Sequence, residues 1–375
     1  MAIIRKEAFG KLSDGREAEL YTLRNTKGTE AKITTYGARL VSWRIMGRDA
    51  KFVDVVLGYA DAAAYEKDDT SMGGVVGRHA NRIADGKVTI DGREYQLDRN
   101  TGSKMQNHIH GGFKGFHDRL WTAEETYEGV RLTYHAQDGE GGYPGNMTVS
   151  VLYSLSNDNE LSIRYEAVSD ADTICNLTNH TYFNLDGYDA GPVLDQKIQI
   201  FADSYTWADA ESLPDGRILP VEGTPMDLRE PVRIGEHIDD DFDELVMGRG
   251  YDHNWVLRGD LPDAELKPGM FGFDPHCPID YLQDGLKKAA YAESDRSGIT
   301  LSCYTTQPGL QFYTGNFLCG GIPGKNGVEF QRRTGFCLET QYYPNSLAHP
   351  EFPQPILKKG ETWKAQTVYV LALKD

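Results

Sequence analysis

The chain has 375 residues, 39% of them hydrophobic and 25% charged, and carries a formal net charge of −17. That acidity repels polynucleotides and anionic lipid headgroups, so neither nucleic acid nor a membrane surface is expected as a partner. No apolar run approaches the roughly 18 residues of a membrane-spanning helix, and Met1-Ala-Ile-Ile-Arg-Lys-Glu lacks an apolar signal core, which together predict a cytoplasmic protein. Cys175, Cys277, Cys303, Cys319 and Cys337 are odd in number and form no C-x-x-C pair, which argues against a disulfide framework or a zinc finger and for a reducing compartment.

At roughly 150 residues per domain the length allows two or three domains or one large β unit. There are 40 glycines, 16 prolines, 21 tyrosines, 14 phenylalanines and 5 tryptophans, a mixture that favours many strands joined by tight turns. No linker-like stretch and no internal repeat interrupts the chain, so residues 1–375 are expected to form a single, nearly all-β antiparallel sandwich.

Taken in chain order, Asp61 to Lys67 reads as one of two short helices. Gly73-Gly-Val-Val-Gly is too lenient a pattern to count as a phosphate loop. Lys87 to Leu97 alternates with period two around Asp91-Gly92, which predicts a hairpin. Met105-Gln-Asn-His-Ile-His-Gly-Gly then places His108 and His110 on one face of a strand, an arrangement that chelates metal only when a third ligand converges. The two glycines after it permit close backbone approach. A second hairpin is predicted from Met147 to Ala167, turning at Asn157-Asp-Asn.

Cys175-Asn-Leu-Thr-Asn-His-Thr-Tyr-Phe-Asn is the most informative segment. Read as a strand, it puts Asn176, Thr178, His180, Tyr182 and Asn184 on one face, an unbroken row of hydrogen-bonding groups. Such a row is costly to bury unless it lines a wet cleft, and a small polyhydroxylated ligand would satisfy it; an ordinary exposed face would more commonly carry Lys and Glu. Ile234 to Glu244 reads as the second short helix, and the acidic cluster Asp239 to Glu244 as a solvated loop, since it lacks the spacing and glycine of an EF-hand. Tyr251-Asp-His-Asn and Gln307-Pro-Gly-Leu-Gln-Phe-Tyr mix short polar groups with aromatic rings, as sugar sites do and as ordinary strand ends also can. In Thr334 to Gln341, Phe336 and Leu338 share one strand face, while Cys337, Glu339 and Gln341 share the other. Glu339, embedded in an apolar strand, either pairs with a cation or has its pKa raised by desolvation, the latter suiting a general base near neutral pH. Trp363, Ala365, Thr367 and Tyr369 lie on one face of a C-terminal strand. No Gly-x-Ser-x-Gly elbow and no His-Glu-x-x-His is present, which demotes nucleophilic and zinc-dependent hydrolysis.

Seven ordered motifs then resemble those of the aldose 1-epimerases, or galactose mutarotases, over nearly the whole length. They are Gly77-Arg-His-Ala-Asn-Arg-Ile-Ala-Asp-Gly, His110-Gly-Gly-Phe-Lys-Gly-Phe, Asp138-Gly-Glu-Gly-Gly-Tyr-Pro-Gly-Asn, Asn176-Leu-Thr-Asn-His-Thr-Tyr-Phe-Asn-Leu, Tyr251-Asp-His-Asn, Thr305-Thr-Gln-Pro-Gly-Leu-Gln-Phe-Tyr-Thr-Gly-Asn and Leu338-Glu-Thr-Gln. The resemblance implies a large antiparallel β-sandwich of the galactose mutarotase type that binds a hexopyranose such as galactose or glucose, without metal or organic cofactor, and works as a monomer or homodimer. It implies Glu339 as general base, His180 as general acid and His110 as a second imidazole, with Asn81, Arg82, Tyr182, Asp252 and Gln311 holding the sugar hydroxyls and Phe312 or a nearby ring as stacking platform. The alternation itself leaves open which of His108 and His110 faces the ligand. Two other readings are a non-catalytic sugar-binding module and a hexose-6-phosphate 1-epimerase, the latter disfavoured by the acidity and by the want of a second basic anchor near Arg82. Glu211 to Pro220 and Tyr342-Tyr343 depart from the family pattern, and Phe271 to Leu286 has no counterpart and is expected as a loop beside the cleft.

Overall fold

Antiparallel pairing dominates the computed structural model, which describes residues 2–259 and 285–374. Cys277 and residues 271–284 of the segment expected beside the cleft lie outside the described residues.

Three large sheets carry the architecture. The N-terminal one is a five-stranded meander: Ile3–Lys11, Glu17–Arg24, Glu30–Thr34, Arg39–Met46 and Phe52–Asp54. A nine-stranded sheet has at its centre the predicted hairpin, Met147–Leu155 with Glu160–Ser169, followed by the C-terminal strand Thr362–Leu373. In a six-stranded sheet Tyr182–Phe183, Phe336–Gln341, Gly309–Tyr313, Asp252–Leu257, Ala202–Ala208 and Pro214–Pro220 lie side by side in that order. The hairpin at Asp91-Gly92 forms as expected, with Ile90 opposite Arg93 and φ of 49° and 78° at the two turn residues. Positive φ at both central positions is the backbone twist a two-residue hairpin needs.

The six- and nine-stranded sheets pack face to face. Phe312, Phe336 and Leu338 on one meet Tyr165 and Tyr369 on the other in a single buried cluster, and the Tyr369 hydroxyl donates to the Leu338 carbonyl at 2.8 Å. Because side chains alternate across a strand, committing Phe336 and Leu338 to this core turns Cys337 and Glu339 to the opposite face. The same alternation turns Gln311 and Tyr313 away from the core that holds Phe312, and Asp252 away from the core that holds Trp255. Packing on one face thus delivers a carboxylate pair, an amide, a thiol and a phenol to the other.

Three sequence expectations need correction here. Residues 175–184 do not form one strand: Thr178–Asn179 and Tyr182–Phe183 are separate two-residue strands that pair with different partners. The second helix is Asp243–Gly248, with 234–242 in turns; Ile234 and Ile238 are buried, so their spacing of four reports core packing rather than a helix. The acidic cluster is more than a solvated loop, since Asp239 pairs with Arg333 at 2.6 Å and Glu244 accepts from the Tyr205 hydroxyl at 2.9 Å. The helix at Ala62–Tyr65 forms within the predicted span, capped by the Asp61 carboxylate on the Ala64 amide. No described helix is long and apolar enough to cross a membrane.

Candidate active site

A cavity of about 230 Å³ opens on the outer face of the six-stranded sheet. That is smaller than the roughly 300–1,000 Å³ of pockets for drug-sized molecules and fits one small ligand. Asn81, Arg82, His110, His180, Tyr182, Asp252 and Glu339 line it, so seven of the eight residues expected at the site converge although they are spread over more than 250 positions of sequence. Gln311, the eighth, stands behind the wall and donates from its amide to Asp252 Oδ1 at 2.7 Å. A larger hollow of about 690 Å³ elsewhere has Lys325 and Asp54 on its wall, paired with each other at 2.6 Å, and brings no histidine beside a carboxylate among the described residues.

One short ladder places the basic group and the first of the imidazoles. Arg82–Ile83 pairs with His108–Ile109, and the chain then leaves strand geometry at Asn81 (φ 64°) and His110 (φ 51°). That turn sends His110 into the cavity and leaves His108 in the core, bonded through Nδ1 to the Asp98 carbonyl and through Nε2 to the Tyr143 hydroxyl. The expectation that the two histidines share a strand face is therefore overturned, because regular alternation ends at Ile109. Only glycine fits next, since a Cβ at Gly111 would collide with the Gly77 carbonyl oxygen.

The rim formed by Asp69, Thr70 and Ser71 is held from below. Arg39, with no exposed surface, donates to the carbonyls of Met72 and His117 and faces Asp68 at 3.6 Å, while the Asp68 carboxylate accepts from the backbone amides of Thr70 and Met72. A buried arginine whose two terminal nitrogens donate to two carbonyls fixes both segments at once.

The row of polar side chains on 176–184 divides. His180 and Tyr182 reach the cavity, whereas Asn176 caps backbone groups of Ala80 and Tyr342, and Asn184 those of Gly191 and Thr334. Phe312 is fully buried against Tyr251, Trp255 and Phe336, which corrects its assignment as a stacking platform. Tyr313 and the half-exposed Phe317, parallel to each other with centroids 6.4 Å apart, are the nearby rings that face the cavity. Strand alternation from Gln311 is the signal that separates Tyr313 from Phe312, and the sequence reading left it unused; nothing local in the sequence marks Asp69, Thr70 or Ser71.

Glu339 is buried, has one carboxylate oxygen without a hydrogen-bond partner, and has no Lys or Arg within 4 Å among the described residues. Of the two alternatives its sequence context left open, the raised pKa is realised: burial first, then the negative charge of Asp252, pushes it well above the ordinary carboxylate range, against a smaller pull from Arg82. Asp252 itself lies 3.9 Å from Arg82. His180 Nε2 is 3.7 Å from Glu339 Oε1, and burial lowers this imidazole to about 4. The His180 ring is held by stacking on Tyr182 at 5.0 Å and by edge contacts with His110 and Tyr313.

His110 is lowered well below 6.5 by burial and then by the other imidazoles, so it is neutral. Its Nδ1 accepts the Asn81 backbone N–H at 3.2 Å, which places the proton on Nε2. His110, His180 and Glu339 bring ligand-type atoms within 4.8 Å of one another. A metal-bound imidazole needs its second nitrogen protonated and donating outward. The Asn81 amide imposes the opposite tautomer on His110, so this trio suits hydrogen bonding to a ligand better than metal coordination.

Comparison with known proteins agrees with the motifs and the fold. The family profile described as aldose 1-epimerase matches residues 19–370. The galactose mutarotase of Rattus norvegicus is 39% identical over 368 residues, covering 98% of each chain, and the aldose 1-epimerase of Escherichia coli K12 is 35% identical over 359 residues, covering 95% of this chain and 96% of that one. Among solved structures, the galactose 1-epimerase from Lactobacillus acidophilus superposes with a TM-score of 0.82 at 29% identity over the full length of both chains. On profile, full-length identity and fold alike, the chain belongs to the aldose 1-epimerase family.

Proposed function

We propose that this enzyme interconverts the α and β anomers of an unphosphorylated hexopyranose, galactose or glucose, by opening and reclosing the ring between Glu339 and His180. The observation that carries the assignment is the separation of Glu339 Oε1 from His180 Nε2, 3.7 Å, with both groups facing one monosaccharide-sized cavity. That gap is too wide for a direct hydrogen bond and sets the two groups side by side, within reach of the adjacent anomeric hydroxyl and ring oxygen of one sugar.

The pair shares one proton, and the reaction returns it. With Glu339 ionised and His180 protonated, the carboxylate takes the hydrogen of the C1 hydroxyl, the oxygen's electrons form the C1 carbonyl, the C1–O5 bond breaks and O5 takes the proton from His180 Nε2. Glu339 is then the neutral acid and His180 the neutral imidazole, the state that burial of both groups favours. Opening therefore discharges a buried ion pair. After rotation about C1–C2, O5 attacks the other face of the carbonyl, His180 takes the O5 proton and Glu339 returns one to O1.

Around this pair, His110 Nε2–H and Arg82 supply donors, Asn81 and Asp252 hold hydroxyls, and the Tyr313 and Phe317 rings offer an apolar wall for a sugar face. Gln311 acts on the ligand through Asp252. Residues 1–375 serve this reaction as one domain, in the cytoplasm, with no resident cofactor; the free state of Cys175, Cys303, Cys319 and Cys337 supports the reducing compartment.

Polarimetry on freshly dissolved α-D-galactose and α-D-glucose tests the proposal: catalysed approach to equilibrium is expected, and a rate no faster than spontaneous drift rejects it. With Arg82 the one Lys or Arg on the cavity wall among the described residues and Asp69, Asp252 and Glu339 beside it, glucose 6-phosphate is expected to turn over far more slowly than glucose. Equal or faster turnover of the phosphate would favour the hexose-6-phosphate reading, and tight galactose binding without anomerisation would favour a sugar-binding module.

A further inference from the structure

The two cavity imidazoles are anchored differently at Nδ1. His110 receives a backbone N–H, a group that only donates, so its Nε2–H tautomer is locked. At His180 the corresponding partner is the Cys337 thiol, with Sγ 3.5 Å from Nδ1. Cys337 is fully buried and lies on the same strand face as Glu339, two residues away, with its backbone opposite Tyr182. A thiol both donates and accepts.

We propose that Cys337 is a positioning residue for His180: its sulfur accepts Nδ1–H in both the charged and the neutral ring, so that Nε2 alone gives its proton to O5 and takes it back. This inference deepens the acid role given to His180 and rests on it. The ring plane is already set by Tyr182, Tyr313 and His110, so the tautomer is the remaining freedom, and the thiol is the side chain placed at Nδ1 to set it among the described residues. An aliphatic side chain there would leave both tautomers open. A carboxylate would fix the imidazolium and hold the proton that O5 must receive. The thiol remains protonated throughout, since burial and then the charges of Glu339 and Asp252 push its pKa well above 9. The other titratable groups facing or acting on His180 are Glu339, Tyr182, Tyr313, His110 and, further off, His117, Asp252 and Asp68. None of these is a hydrogen-bond partner of Nδ1.

Nitrogen NMR of histidine-labelled protein, with polarimetric kcat measured against pH, tests this on Cys337→Ala and Cys337→Ser. Wild type and Cys337→Ser are expected to show neutral His180 as the Nδ1–H tautomer, with kcat within about threefold of each other because the hydroxyl oxygen accepts Nδ1–H as the sulfur does. Cys337→Ala is expected to show mixed tautomers, a displaced kcat profile against pH and kcat lower by about 5- to 10-fold, the effect of one lost hydrogen bond, with KM unchanged. Wild-type tautomer and profile in Cys337→Ala, or an equal loss in Cys337→Ser, would overturn the proposal. If the alanine variant does not fold, the wild-type spectrum decides, because a neutral His180 carrying its proton on Nε2 contradicts it directly. Failure of the acid role itself is distinguishable: His180→Gln would then retain turnover whatever the thiol does.

Discussion

Glu339→Gln is expected to lower kcat by at least about 10²-fold with KM little changed, and His180→Gln by a similar factor, the usual share of one positioned proton-transfer group. An amide in place of the Glu339 carboxylate would occupy nearly the same volume and still meet a sugar hydroxyl, so binding survives while the base is lost. Since the two groups hand one proton back and forth, the double variant is expected to fall little further than the worse single variant, as residues acting as a unit do. Stopped polarimetry on the three variants checks this. Multiplicative losses would mean that the groups work independently, and retained turnover in either single variant would remove that residue from its role. The pH profile of wild-type kcat is expected to be bell-shaped, its limbs belonging to the pair rather than to either residue.

The second large effect is on stability in acid. His79, His108, His117 and His180 are all buried, and burial lowers them to about 3, about 4, about 3 and about 4 respectively. In the unfolded chain each titrates near 6.5. The folded values lie below the unfolded ones, so the unfolded state binds more protons as the pH drops, and stability present above 6.5 is lost on the way down toward 4. Each group contributes on the order of 3 kcal/mol to that loss by pH 4, and four of them together approach the roughly 5–15 kcal/mol total stability of an ordinary protein. Glu339 works the other way: its raised folded pKa means the native state keeps a proton the unfolded chain has released, so it loses stability as pH rises above the ordinary carboxylate value and offsets part of the histidine effect in acid. The denaturation midpoint in urea, followed by circular dichroism, is expected to fall steeply between pH 6.5 and 4.5. A midpoint that stays flat across that interval would mean these imidazoles are solvated or already charged in the native state.

Much of the site was legible in the sequence because strand alternation is a local rule. Once Phe336 and Leu338 are assigned to a core, Glu339 must face away from it, and the same logic separates Tyr313 from Phe312. What escaped that rule was set by tertiary contacts. His110 parts company with His108 because positive φ at position 110 breaks the alternation, and glycine at 111 is required by the approach of Gly77, a residue distant in sequence. Residues 175–184 read as a strand because their side chains alternate, yet their backbone pairs in two short pieces with Val75–Val76 and Phe336–Gln341. The rim at Asp69 to Ser71 owes its place to a buried arginine some thirty positions upstream. Motif resemblance supplied the roles of Asn81, Arg82 and Asp252, which no periodicity could have assigned.

The account depends on one sugar ring presenting its anomeric oxygen to the carboxyl and its ring oxygen to the imidazole beside it. A crystal structure of Glu339→Gln soaked with galactose tests that most directly. The anomeric oxygen is expected within about 2.6–3.2 Å of the side-chain amide at position 339 and the ring oxygen within the same reach of His180 Nε2. A sugar seated in this cavity with its ring oxygen turned away from His180, or bound outside the cavity altogether, would contradict it.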